Sequence, residues 1–244
     1  MKNYSHTMGR KYIYILLVVL FSFSYNNAAA SQPTIQRINR QLSKVYQRDQ
    51  SSRQTLLTAQ KSGNQQQILK AVMAMQKGDE KNQKVVFNLL DKHGWLDGLS
   101  DVANSAIWLV IQHSDASSIE RYIPIVQSVA DRGDISIKDL KTMEDRLLVY
   151  NKKPQQYGTQ TKQIGQKIFF YPIADFSTID SRRASIGFSS LNDYIEQLKE
   201  HTGKEVIIDN KMTFERLDEL QNKSTSSAIN ITAEQAKKLG IKLK

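Results

Sequence analysis

Val102-Ala103-Asn104-Ser105-Ala106-Ile107-Trp108-Leu109-Val110-Ile111-Gln112-His113-Ser114 is the stretch that decides the fold. It is apolar on nearly every side, which predicts a helix enclosed by other elements rather than one laid on a surface. The flanking segments supply candidates for that enclosure. Asp79 to His93 carries Val85, Val86, Leu89 and Leu90 at helical spacing and stops at Gly94. Ile119 to Arg132 is amphipathic and closes at Gly133. Ser136, three residues before Asp139, predicts the cap of a helix marked by Leu140, Met143, Leu147 and Leu148. Upstream, Ile68 to Met75 reads as a separate short helix with Val72 and Met75 on one face. Before it, Ile35, Ile38, Leu42 and Val45 recur at spacings of three and four. That pattern turns polar between Gln47 and Arg53, resumes at Leu56 and Leu57, and breaks at Ser62-Gly63-Asn64. So narrow a stripe predicts an arm that contributes little to the main core.

Beyond Asn151-Lys152-Lys153-Pro154 the helical series ends. Lys167 to Tyr171 is rich in β-branched and aromatic residues and predicts a strand, with a second over Glu205 to Ile208. Ser190 to His201 predicts a helix stopped by Gly203, and Thr232 with Gln235 a capping box for a last short one ended by Gly240. The fold class is mainly α, a helical domain with a small α+β C-terminal region. The expected divisions are a signal peptide over 1–30, a helical arm over 31–63, a helical domain over 64–200 and a C-terminal appendage over 201–244.

The first thirty residues carry the export expectation. Lys2, Arg10 and Lys11 precede an uncharged apolar run, Tyr12 to Phe23, and Ala28-Ala29-Ala30 follows as a small-residue cleavage site. Twelve residues of helix rise about 18 Å, short of a hydrocarbon core of about 30 Å. An uncleaved anchor is the competing reading. The protein is therefore expected in the periplasm or secreted, with no membrane span after cleavage. Cleavage after Ala30 leaves 244 − 30 = 214 residues, with a charge of (34 − 3) − 24 = +7. Lys and Arg are dispersed among Asp and Glu, which argues for a solvated surface and against specific nucleic-acid binding. With no cysteine there is no disulfide, no thiolate nucleophile and no sulfur-bound metal.

Four pieces place polar residues where the pattern predicts burial: His93-Gly94-Trp95; Trp108 to Asp115, ending in Gln112-His113-Ser114-Asp115; Glu144-Asp145-Arg146-Leu147; and Pro154-Gln155-Gln156-Tyr157-Gly158-Thr159-Gln160. Taken in that order, with Asp180-Ser181-Arg182-Arg183, Ile186-Gly187-Phe188, Leu191 and Tyr194 downstream, the chain resembles a bacterial family, domain of unknown function family 6624. The likeness runs from about Asp79 to about Leu198. Members usually read Gly-Trp-Pro where this chain has Gly94-Trp95-Leu96. The resemblance implies a compact, mainly helical domain, exported in some members. It implies no reaction.

Each piece supports two readings. His113 points with the apolar face of its helix, so it is either a general base oriented by a carboxylate or a core histidine satisfied by Asp115, Asp145 or an amide. Asp145 and Arg146 are consecutive and leave the helix about 100° apart, so they serve different partners. Tyr157-Gly158-Thr159-Gln160 suits either close approach of a ligand or a tight turn. A metal centre would require His93 and His113 to converge with a carboxylate. There is no Gly-rich phosphate loop, nucleophile elbow or His-Glu-x-x-His, and no cofactor is named. The catalytic candidates are His113, Asp115 and Asp145. The ligand-binding candidates are Gln112, Arg146, Tyr157, Gly158, Thr159 and Gln160, and no metal ligand is assigned. Two function classes follow. One is an exported binding or interaction domain, its ligand or protein partner lying in the cell envelope, with His113 and Gln160 expected in one polar network. The other is an exported hydrolase-type enzyme using His113 as base.

Overall fold

The computed structural model describes residues 34–224. The expected signal peptide, the cleavage site and the capping box at Thr232 lie outside the described residues. Five helices come first: α1 (Ile35–Ser62), α2 (Gln65–His93), α3 (Asp101–Gln112), α4 (Ala116–Asp131) and α5 (Ile137–Tyr150). A sheet region follows, with β1 (Thr161–Ile164), β2 (Lys167–Phe170), α6 (Ile179–Ser185), α7 (Leu191–Thr202) and β3 (Glu205–Ile207). A further helical stretch occupies 214–224. The protein is mainly helical with a small mixed sheet in its C-terminal part.

α3 is the enclosed helix that its composition predicts. Ala103, Ala106, Ile107, Val110 and Ile111 are all buried in the main core. Ser100 caps its start by accepting from the Ala103 N–H. Both tryptophans tie this core together. Trp95 donates to Asn104 Oδ1 at 2.9 Å, and Trp108 donates to the Asp139 carbonyl at 3.0 Å, linking α3 to α5. Ser136 caps α5 through the Asp139 N–H, as its spacing predicts.

Two expectations are corrected. Ile68–Met75 and Asp79–His93 are not separate helices but one, α2, which runs through Gly78. A Cβ there would sit 3.8 Å from the Arg48 side chain on α1, so the glycine lies where the two long helices approach each other. The first helix, moreover, is not marginal to the core. Ile38, Leu42 and Val45 are buried with Val86, Leu90 and Ile107. Asp49 continues their spacing of three and four and is itself 1% exposed. The polar interruption that suggested an outlying arm is a buried polar position on an unbroken stripe.

In the sheet region, order and direction follow from the connections. β1 and β2 are antiparallel across a tight turn, with Thr161 opposite Phe170, while β2 and β3 are parallel, with Ile168 opposite Val206. Parallel neighbours need a crossover, and α6 and α7 provide it. Side chains of β2 alternate accordingly. Ile168 and Phe170 pack with Leu191 and Ile195 of α7, and Phe169 packs on the other face with Met212 and Leu217.

Candidate functional site

Asp145 organises the junction between the helical part and the sheet region. It leaves α5 fully buried and faces the loop that follows the helix. Its Oδ1 accepts from the Gln156 N–H at 2.6 Å and the Tyr157 N–H at 3.2 Å. Its Oδ2 accepts from the Tyr157 and Thr159 N–H groups at 3.1 and 3.2 Å and from the Thr159 hydroxyl at 2.9 Å. One carboxylate thus shapes four residues of loop, 156–159. Burial pushes its pKa above the ordinary carboxylate range, against the pull of these donors. Arg146 leaves the helix elsewhere, as consecutive residues must. Its Nε has no partner among the described residues, and its charge acts on Tyr171.

Two glutamines and a glycine complete the loop. Gln155, fully buried, accepts from the Gln160 N–H and donates to the Gln160 and Tyr171 carbonyls. The Gln160 amide reaches back to the Thr142 carbonyl and the Thr159 hydroxyl at 3.2 and 3.0 Å. Gly158 has φ +65°, and a Cβ there would come within 3.2 Å of Ile173 and 3.3 Å of Leu191. The positive φ favours glycine here, and a larger residue would have to displace the Ile173 and Leu191 methyl groups.

The remaining candidates lie apart from this loop. His113 ends α3, with Nδ1 3.0 Å from Asp49 Oδ1. Asp49 also pairs with Arg53, which bridges on to Asp79 of α2. Asp115 caps α4, accepting from the Ser118 N–H at 2.7 Å and the Ser117 hydroxyl at 2.8 Å, and these bonds hold its pKa down. Gln112 is buried, with its Oε1 unpartnered among the described residues. Among the described residues, no hydrogen bond or ion pair joins His113, Asp115 and Asp145 to one another. The single network expected for His113 and Gln160 is corrected to two. One is the His113–Asp49–Arg53 group on the long helices, and the other is the Asp145–Thr159–Gln160 group under the loop.

The first of these carries a pH dependence. Burial raises the Asp49 pKa, but the His113 hydrogen bond and the charges of His113 and Arg53 outweigh it, and the net direction is down from 3.8. A carboxylate lowered on folding stabilises the protein fully above its unfolded value, and that contribution is lost as the pH falls through the folded one. Stability should therefore decline below about pH 4, and Asp49→Asn should flatten that decline. Urea midpoints measured between about pH 3 and 7 check this. An unchanged acid slope would show that other carboxylates govern it.

Above the loop lies a cleft of about 630 Å³. α5 contributes Lys138 and Thr142, and the loop contributes Thr159. Arg183, Gly187 and Ser189 come from the end of α6 and the turn after it, with Tyr194 and Gln197 from α7. Arg183 is 2% exposed. It donates through Nε to the Ser189 carbonyl at 2.7 Å and through Nη1 to the Tyr157 carbonyl at 2.5 Å. Its guanidinium lies 5.1 Å from the ring centroids of both Phe188 and Tyr194. Sequence reasoning did not select Lys138, Arg183, Tyr194 or Gln197. Arg183 and Tyr194 stand among the residues that carry the family likeness, and that was the available signal. A second groove, about 460 Å³ between α1 and α2, is lined by Ala59, Ala71 and Ala74 together with Thr, Gln and Lys70 side chains.

Fold and site together define a mainly helical domain that buries a carboxylate-organised loop beneath a polar cleft. The sequence model of a family of unknown function (DUF6624) matches residues 36–207, and the chain belongs to that family. The match reaches well upstream of the expected Asp79 and takes in α1, in keeping with the packing of that helix. No curated protein and no solved structure matches the chain.

Proposed function

We propose that the chain is an exported binding domain whose ligand is a small molecule seated in the cleft above the Asp145 loop. The observation that carries this reading is the convergence of four separate segments on one polar cleft, with the loop beneath it held rigid by a buried carboxylate. A volume of about 630 Å³ falls in the range that suits small ligands. The sequence-selected loop supplies Thr159 to the lining, while Tyr157 and Gly158 shape it from behind. His113 and Asp115 serve helix ends away from this cleft and carry no part of the proposed site. Export rests on the basic start, the short apolar run and the Ala28-Ala29-Ala30 site. Among the described residues no helix is long and apolar enough to cross a membrane.

Nuclear magnetic resonance titration with a panel of small polar molecules tests the binding reading. Saturable shifts are expected to cluster on Thr159, Gly187 to Ser189, Tyr194 and Gln197. Shifts that scatter over the surface, or none at all, would refute it. Material from the cell envelope should begin at Ser31 on N-terminal sequencing. Residues 1–30 still attached, in a membrane fraction, would overturn export.

A further inference from the structure

The groups lining the cleft include two cations and no carboxylate. We propose that the ligand carries an oxyanion, a carboxylate or a phosphate, held by Lys138 and Arg183. This rests on the binding reading above and assigns its ligand class.

Arg183 provides the first ground. A guanidinium removed from water is costly unless it is paired, yet Arg183 has no ion-pair partner among the described residues. Its bonds go to two carbonyls, its faces to two rings, and its Nη2 makes no hydrogen bond among the described residues. Burial accordingly pulls its pKa down. Asp145 and Asp180 act on it through the interior. Both are occupied, Asp145 by the loop donors and Asp180 by the Leu191 N–H at 2.7 Å, and neither lines the cleft. An anion entering the cleft would supply the missing charge.

Lys138 provides the second. It projects from the first turn of α5 across Gly187, where a Cβ would lie 3.4 Å from its Cε and 3.8 Å from its Nζ. No ion pair holds it among the described residues, so its ammonium keeps three donors for a ligand. The Ser189 hydroxyl and the Gln197 amide also line the cleft without side-chain partners among the described residues. Phe188 and Tyr194 offer ring surface for the rest of the molecule. A donor-rich, acid-free cleft matches acceptor oxygens bearing charge.

The test titrates the processed chain at constant ionic strength with inorganic phosphate, with malonate and with the neutral disaccharide trehalose, following amide shifts by nuclear magnetic resonance. Phosphate or malonate should give saturable shifts at Gly187, Ser189 and Tyr194, and the tighter of the two identifies the headgroup. Lys138→Gln should weaken that binding about tenfold, the loss of one charge-assisted hydrogen bond, while Lys92→Gln on α2 leaves it unchanged. Trehalose binding the cleft as well as the anions do, with Lys138→Gln without effect, would overturn the oxyanion assignment and leave the cleft reading standing. No saturable shift from any of the three, or from the wider panel of polar molecules, would overturn both.

Discussion

Asp145→Ala is expected to destabilise the protein by about 4 kcal/mol, far more than an ordinary surface change. The reason lies in the donors that remain. Removing the carboxylate leaves the N–H groups of Gln156, Tyr157 and Thr159 facing a void, along with the Thr159 hydroxyl. Each orphaned buried donor costs about 1–3 kcal/mol, and water reaching the loop recovers part of the total. Asp145→Asn should be nearly as damaging, because its amide would point N–H groups at N–H groups. Urea unfolding of both variants, with the slope compared to separate loop melting from global loss, gives the measurement. A loss under about 1 kcal/mol for either would show that the loop finds other acceptors. The cleft would then not depend on this residue for its shape.

Deleting residues 31–63 is expected to abolish cooperative unfolding altogether. α1 contributes Ile38, Leu42 and Val45 to the main core, so its loss uncovers the faces of α2 and α3 that carry Val86, Leu90 and Ile107. It also removes Asp49, leaving His113 without its carboxylate and Asp79 without Arg53. The truncated chain should bind a hydrophobic dye, keep much of its helical circular dichroism and lose its near-ultraviolet signal, as a molten globule does. Leu42→Ala gives a milder version that still folds, with an expected cost of about 2–5 kcal/mol. A sharp, single unfolding transition in the truncated protein would return α1 to the role of a detachable arm.

Ile38, Leu42, Val45 and Asp49 fall on one face by spacing alone, but an aspartate on that face reads as the end of the apolar run. Its burial is compensated by Arg53 one turn on and by His113 of α3, which is sixty-four positions away in the chain. The same holds for α2. Glycine is a poor helix former, yet α2 runs straight through Gly78, where a Cβ would make only ordinary contact with the Arg48 side chain of α1. β1 and α6 escaped notice because each is short, four and seven residues, too few to set a pattern apart from its surroundings.

Local composition determined a good deal of this protein. The all-round apolar α3, the Ser136 cap, the glycine stops at Gly94 and Gly203, and the strands at Lys167 and Glu205 are properties of a few neighbouring residues, and they stand where the spacing puts them. The residues that carry the family likeness were equally legible. The pairing of side chains was decided by the tertiary structure alone. Asp115, Asp145 and an amide were the partners expected for His113, which instead meets Asp49 of α1, while Asp145 passed over His113 for backbone N–H groups in the loop after its own helix. A periodic pattern says which face is buried, because hydrophobicity is summed along one element. It does not say what a buried charge meets there, because that depends on which elements pack against one another and at what depth.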